Sequence, residues 1–174
     1  MSAERFGIFS ETPEGRKTIT YTRELAYEVE KVWRAITDDE ERGHWFPELS
    51  LEPVLQGKVV MDFSGGDCPP PEENPEDIDY GHVSAWEPPH LFEFSSLTAG
   101  EMRFEISATD AGCTLMVLVT LPADQHIQNS VACGWHYKID AMEWRLNGED
   151  FELEGFAGPT LTELYFGYRS RPLA

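Results

Sequence analysis

A chain of 174 residues that is 41% hydrophobic and 12% aromatic can bury the core of one domain. Thirteen basic against 32 acidic side chains give a net charge of −19, which repels phosphate backbones and anionic lipid and excludes nucleic acid and the membrane surface as expected partners. No run approaches the roughly 20 apolar residues of a membrane helix.

The opening "MSAERFGIFSETPEGRK" carries acids and Pro where an export signal needs an apolar run, so a flexible N-terminus is expected. "KTITYTRELA" (17–26) alternates, with Ile19, Tyr21, Arg23 and Leu25 on one side, and predicts a strand. "EVEKVWRAIT" (28–37) changes period: Val29, Val32, Trp33 and Ile36 form a helical stripe. "DDEERGHWFPE" predicts a second short helix, capped by Asp38 and stopped by Pro47. Strand-like runs follow at 57–63, 81–87, 90–97, 101–108 and 113–121, joined by short turn signals. One joint differs. "SGGDCPPPEENPEDID" (64–79) cannot bury a core and reads as a long surface loop that tolerates shortening. Residues 123–148 read as one long helix, with Asp124 as N-cap and Gly148 as stop. In the tail, 149–174, "TLTELYFGY" predicts one more short helix.

A single antiparallel sheet must cover its apolar face, and only the 123–148 helix is long enough to do so. The expected class is therefore α+β: a curved antiparallel sheet wrapped around a long C-terminal helix, with two short helices after the first strand. Residues 1–148 form one domain and 149–174 a tail packed on it. Cys68, Cys113 and Cys133 are widely spaced and odd in number, so free thiols in a reducing cytoplasm are expected.

Three blocks carry a resemblance: "RELAYEVEKVWRAITDDEERGHWFPE" (23–48), "GHVSAWEPPHLFEFS" (81–95) and "GWHYKIDAMEWRLNG" (134–148). In this order they resemble the SRPBCC superfamily and, within it, proteins like the activator of heat shock protein 90 ATPase homologue. Gly81, the Pro88-Pro89 pair and the Gly134-Trp135 step with its following Asp140 sit as in that family. Glu28 departs from it, standing where many relatives have Pro. The resemblance implies a helix-grip fold with a cavity between sheet and last helix. It does not imply one chemistry.

On a wheel of 3.6 residues per turn, Val131, Trp135, Ile139, Met142 and Leu146 share the arc that must face the sheet. Cys133, His136 and Asp140 gather nearly opposite, with Glu143. The spacing suits a nucleophile, a base and an acid on one face, yet that face is expected to meet water or the tail. Neither a desolvated pocket with an oxyanion site nor a compact metal-ligand set is expected there. Alanine at any of the three should then leave stability within about 1 kcal/mol. Gly134, costly in mid-helix, is expected to admit a close neighbour. Arg23 alternates in register with inward residues. It is expected to pair with an internal Glu or to lie at the wet end of its strand, the alternative being a ligand carboxylate. No nucleotide, metalloprotease or nucleophile-elbow motif occurs, and no cofactor or metal is expected.

The function expected first is binding of a small hydrophobic or amphipathic ligand. Its pocket would draw on Trp45, Phe46, Phe63, Trp86, Phe94, Phe104, Trp135, Ile139 and Met142, with a mouth near the 64–79 loop or the short helices. The resemblance adds two alternatives: a protein-interaction module that stimulates a chaperone ATPase, and a cyclase- or hydrolase-like enzyme using the same cavity.

Overall fold

The computed structural model describes residues 5–62, 78–96, 100–123, 125–148 and 160–171. Among these residues eight strands form one antiparallel sheet in the order β1-β2-β8-β7-β6-β5-β4-β3. The strands are β1 (Ile8–Glu11), β2 (Lys17–Leu25), β3 (Leu49–Leu51), β4 (Lys58–Asp62), β5 (Ile78–Glu87), β6 (Leu91–Ser96), β7 (Gly100–Thr109) and β8 (Gly112–Thr120). The helices are α1 (Val29–Thr37), α2 (Asp39–Gly43), α3 (Gln125–Leu146) and α4 (Leu161–Arg169). This is the α+β helix-grip arrangement. Among the described residues no helix is long and apolar enough to cross a membrane.

Alternation sets the faces. In β2 the buried side chains include Ile19, Tyr21, Arg23 and Leu25, and in β8 they are Cys113, Leu115, Val117 and Val119. Register pairs Tyr21 with Val117, and Val117 with Phe104 of β7, so one face collects the apolar residues of three strands. Burying a Val, Leu or Phe side chain there is worth about 1.5–3 kcal/mol. Helix α1 presents Val29, Val32, Ala35 and Ile36 to the core, and α3 presents Trp135, Ile139, Met142 and Leu146.

Several expectations shift. The short helix after Asp38 ends at Gly43, not at Pro47; Asp38 does cap it, accepting from the Glu40 and Glu41 amides at 3.1 Å each. The turn that follows buries Trp45 and Phe46, and Trp45 Nε1 donates to Ala35 O of α1 at 2.8 Å. Strand β5 starts at Ile78, inside the span read as loop; Phe63 and 64–77, and with them the expectation about shortening, lie outside the described residues. So does the Asp124 cap. Strands β1 and β3 were not foreseen. They are the two edges of the sheet, four and three residues long. The short helix expected in the tail is α4, closed at its start by Thr160 and Glu163 in a reciprocal capping box.

Candidate functional site

The sheet strands and α3 bring aromatic rings together in the interior. Phe92 of β6 lies 5.6 Å from Trp86 of β5, 5.4 Å from Phe94 and 5.7 Å from Phe104 of β7, centroid to centroid. Phe104 meets Trp135 of α3 at 6.1 Å, and Trp135 meets Phe46 at 5.3 Å in an edge-to-face contact. Trp45 extends the chain from Phe46, and Trp33 of α1 extends it from Trp86 at 5.0 Å. Such pairs add about 0.5–1.5 kcal/mol each beyond their area. Of the residues singled out in the sequence, Trp45, Phe46, Trp86, Phe94, Phe104 and Trp135 are joined by ring contacts. Ile139 and Met142 are buried in the same core. Phe92 and Trp33 were missed. Phe92 alternates with Phe94 and Trp33 sits on the α1 stripe, so both carried a signal.

At the rim of this cluster, between α3 and the turn after α2, stands an ion pair that the sequence did not suggest. Lys138 Nζ donates to Glu48 Oε2 at 2.8 Å and lies 4.3 Å over the Phe46 ring. Burial lowers the Lys138 pKa, and Glu48 opposes that shift. Glu48 is fixed from behind, its carbonyl accepting from the Asp62 amide at 2.9 Å.

The other side of α3 is polar and buried. His136 has no exposed surface, and Cys133 and Asp140 are buried too. This corrects the expectation that alanine is tolerated there. The stripe is covered by α4 of the tail together with Arg5 and Phe6 of the chain start. Arg23 is also buried, and its partner is chiefly an Asp: Nη2 donates to Asp140 Oδ1 at 3.0 Å, while Glu143 stands 3.8 Å from Nε. Arg23 Nη1 donates to the carbonyls of Arg5 and Thr22. Arg5 reaches the same two acids from the chain start. The Gly7 amide donates to the Tyr168 hydroxyl oxygen at 3.0 Å, and that hydroxyl lies 2.8 Å from His136 Nδ1. With the Tyr168 O–H donating its hydrogen bond to Nδ1, the neutral His136 ring carries its N–H at Nε2, which sits 3.3 Å from Asp140 Oδ2.

Electrostatics fit a structural role for this cluster. Burial alone would raise the Asp140 pKa, but His136, Arg5 and Arg23 outweigh it and hold the carboxyl well below the usual range. Burial pushes Tyr168 up to about 12 and Cys133 up to about 11, so both stay protonated at neutral pH. A thiol so held, with Sγ 3.0 Å from Leu161 O, is a poor nucleophile. Gly134 is corrected as well: a Cβ built there meets nothing within 4 Å, so no close neighbour explains it.

Residues 26–147 hold every ring of this aromatic cluster and both of its rim residues, and they match the sequence profile of the family described as Activator of Hsp90 ATPase homolog 1-like protein. The chain belongs to that family. Within the matched stretch of this family member, Glu28 is the N-cap of α1 and makes no side-chain capping bond. Gly81 is pressed against β6, where a Cβ would lie 1.8 Å from Ser95 O. The Pro88-Pro89 bond is cis. No curated protein matches the chain in sequence. Solved structures share the fold. A conserved protein of unknown function from Enterococcus faecalis is 13% identical over 94% of this chain and 88% of its own, with a TM-score of 0.70. CalU16 from Micromonospora echinospora is 19% identical over 96% and 93%, with a TM-score of 0.67. DynU16, from the dynemicin biosynthetic locus, is 21% identical over 76% of this chain and 48% of its own, with a TM-score of 0.60.

Proposed function

We propose that this family member binds a small aromatic or amphipathic molecule between the sheet and α3. The observation that carries the proposal is the convergence of rings from β5, β6, β7, α3 and the turn after α2, with Phe92, Phe104 and Trp135 at its centre. Ligand sites are mostly apolar and aromatic, with few polar groups to fix orientation. The polar groups of α3 are instead spent on holding β2, α4 and the N-terminal segment, which favours binding over catalysis. One structural neighbour, DynU16, comes from a biosynthetic locus, a setting compatible with a small-molecule ligand. A neutral, polarity-sensitive naphthalene dye, 6-propionyl-2-dimethylaminonaphthalene, tests the proposal. Its emission should shift to the blue with a saturable, roughly one-to-one titration. Trp135→Ala should change the affinity severalfold, since it removes the ring between Phe46 and Phe104. A dye that stays unshifted at micromolar protein, or a titration indifferent to Trp135, contradicts the proposal.

A further inference from the structure

An ammonium carries three N–H donors and no acceptor. Glu48 takes one donor of Lys138, and the Phe46 ring faces the ammonium from a second side. The structure gives Lys138 no further partner among the described residues. Yet its side chain is only 20% exposed, so water does not surround it freely. The residue stands one turn beyond Trp135 on α3, and positions three apart share a helix face. Phe46 touches both: its ring is 5.3 Å from Trp135 and 4.3 Å from Lys138 Nζ. A half-buried cation with an unused donor therefore borders the aromatic interior.

We infer that Lys138 is the polar contact of the interior site, and that the ligand it selects is an aromatic ring system bearing a hydrogen-bond-accepting oxygen, a carbonyl or a phenolic oxygen. This rests on the interior binding proposed above. The oxygen accepts from Lys138 while the rings lie among Phe46, Phe104 and Trp135. Glu48 stays in place, and its carboxylate opposes the lowering of the Lys138 pKa by burial. A neutral acceptor suits the pair better than an anion, because Glu48 would repel a second negative charge about the same nitrogen. Hydrogen bonds to charged groups are among the stronger ones, so the selection should be large.

The test uses two probes of matched shape, 2-acetylnaphthalene and 2-ethylnaphthalene, measured by quenching of tryptophan emission. The first has the oxygen and the second does not. The wild-type ratio of affinities should favour the ketone relative to Lys138→Met, and the substitution should reduce that ratio about tenfold or more. Lys138→Arg should restore part of the preference, which shows that the charge and not the stem is read. If both probes bind and the ratio is the same in the wild type and Lys138→Met, the Lys138 inference falls and interior binding stands. If neither probe binds the wild type, both fall.

Discussion

Asp140 shows at the residue scale how a buried charge is kept. It accepts from Arg23 at 3.0 Å and from Arg5 at 2.9 Å, with His136 alongside. Asp140→Asn leaves Arg23 buried with Glu143, 3.8 Å away, as its remaining acidic partner, and breaking a buried pair in this way costs about 3–5 kcal/mol. The pH dependence has a definite sign. The folded pKa lies below the unfolded value of about 3.9, so the stabilisation is full above that value and is lost as pH falls beneath it. Urea titrations at pH 7 and pH 3 should show the gap between wild type and Asp140→Asn narrowing at the lower pH; a gap of constant size contradicts the assignment. Gly134 predicts the opposite sign. It lies inside α3 with open space where a Cβ would go, so Gly134→Ala should stabilise by about 1 kcal/mol, read as a higher urea midpoint. A loss of stability would mean that the alanine methyl meets something after all.

At the scale of elements, α3 is buried on both sides, and this is what the sequence could not state. The helical wheel does separate Trp135, Ile139 and Met142 from Cys133, His136 and Asp140. It cannot say what covers the second arc, because the cover comes from Arg5, Arg23 and Tyr168, far away in the chain. Strand β2 was legible because nine residues alternate, and α1 because its stripe repeats within two turns. Strands β1 and β3 were not, since three or four residues hold too few alternations. The rings of the candidate site were mostly legible, as large aromatics on inward strand positions. Lys138 and Glu48 were not, because one is a flank position of a helix and the other ends a turn. The docking of α4 depends on Gly167, where a Cβ would lie 2.6 Å from two ring atoms of Phe6. Phe6 in turn packs edge-on against His136 and Tyr168 and lies under Arg171. Gly167→Ala should therefore loosen α4 and the chain start together. Amide exchange should speed up in both segments at once; faster exchange in α4 alone would show that they are not coupled.

For the whole molecule, two layers of interaction divide the work of α3. One side supplies rings to an aromatic interior, and the other fastens the helix to β2, α4 and the Arg5–Phe6 step through Asp140, His136 and Tyr168. A sheet with both edges short, β1 and β3, offers little backbone for pairing with another chain. The recognition site proposed above is the interior. Occupancy should also raise stability by mass action, about 2.7 kcal/mol at a ligand concentration one hundred times Kd. The central claim is that the aromatic interior takes a ligand, and the most direct test is to locate the bound probe. Nuclear Overhauser effects from 2-acetylnaphthalene should reach ring protons of Phe104 and Trp135, which the fold buries. Effects confined to the exposed side chains of Ile127, Leu161 and Phe166 would place the probe on the surface and contradict the account.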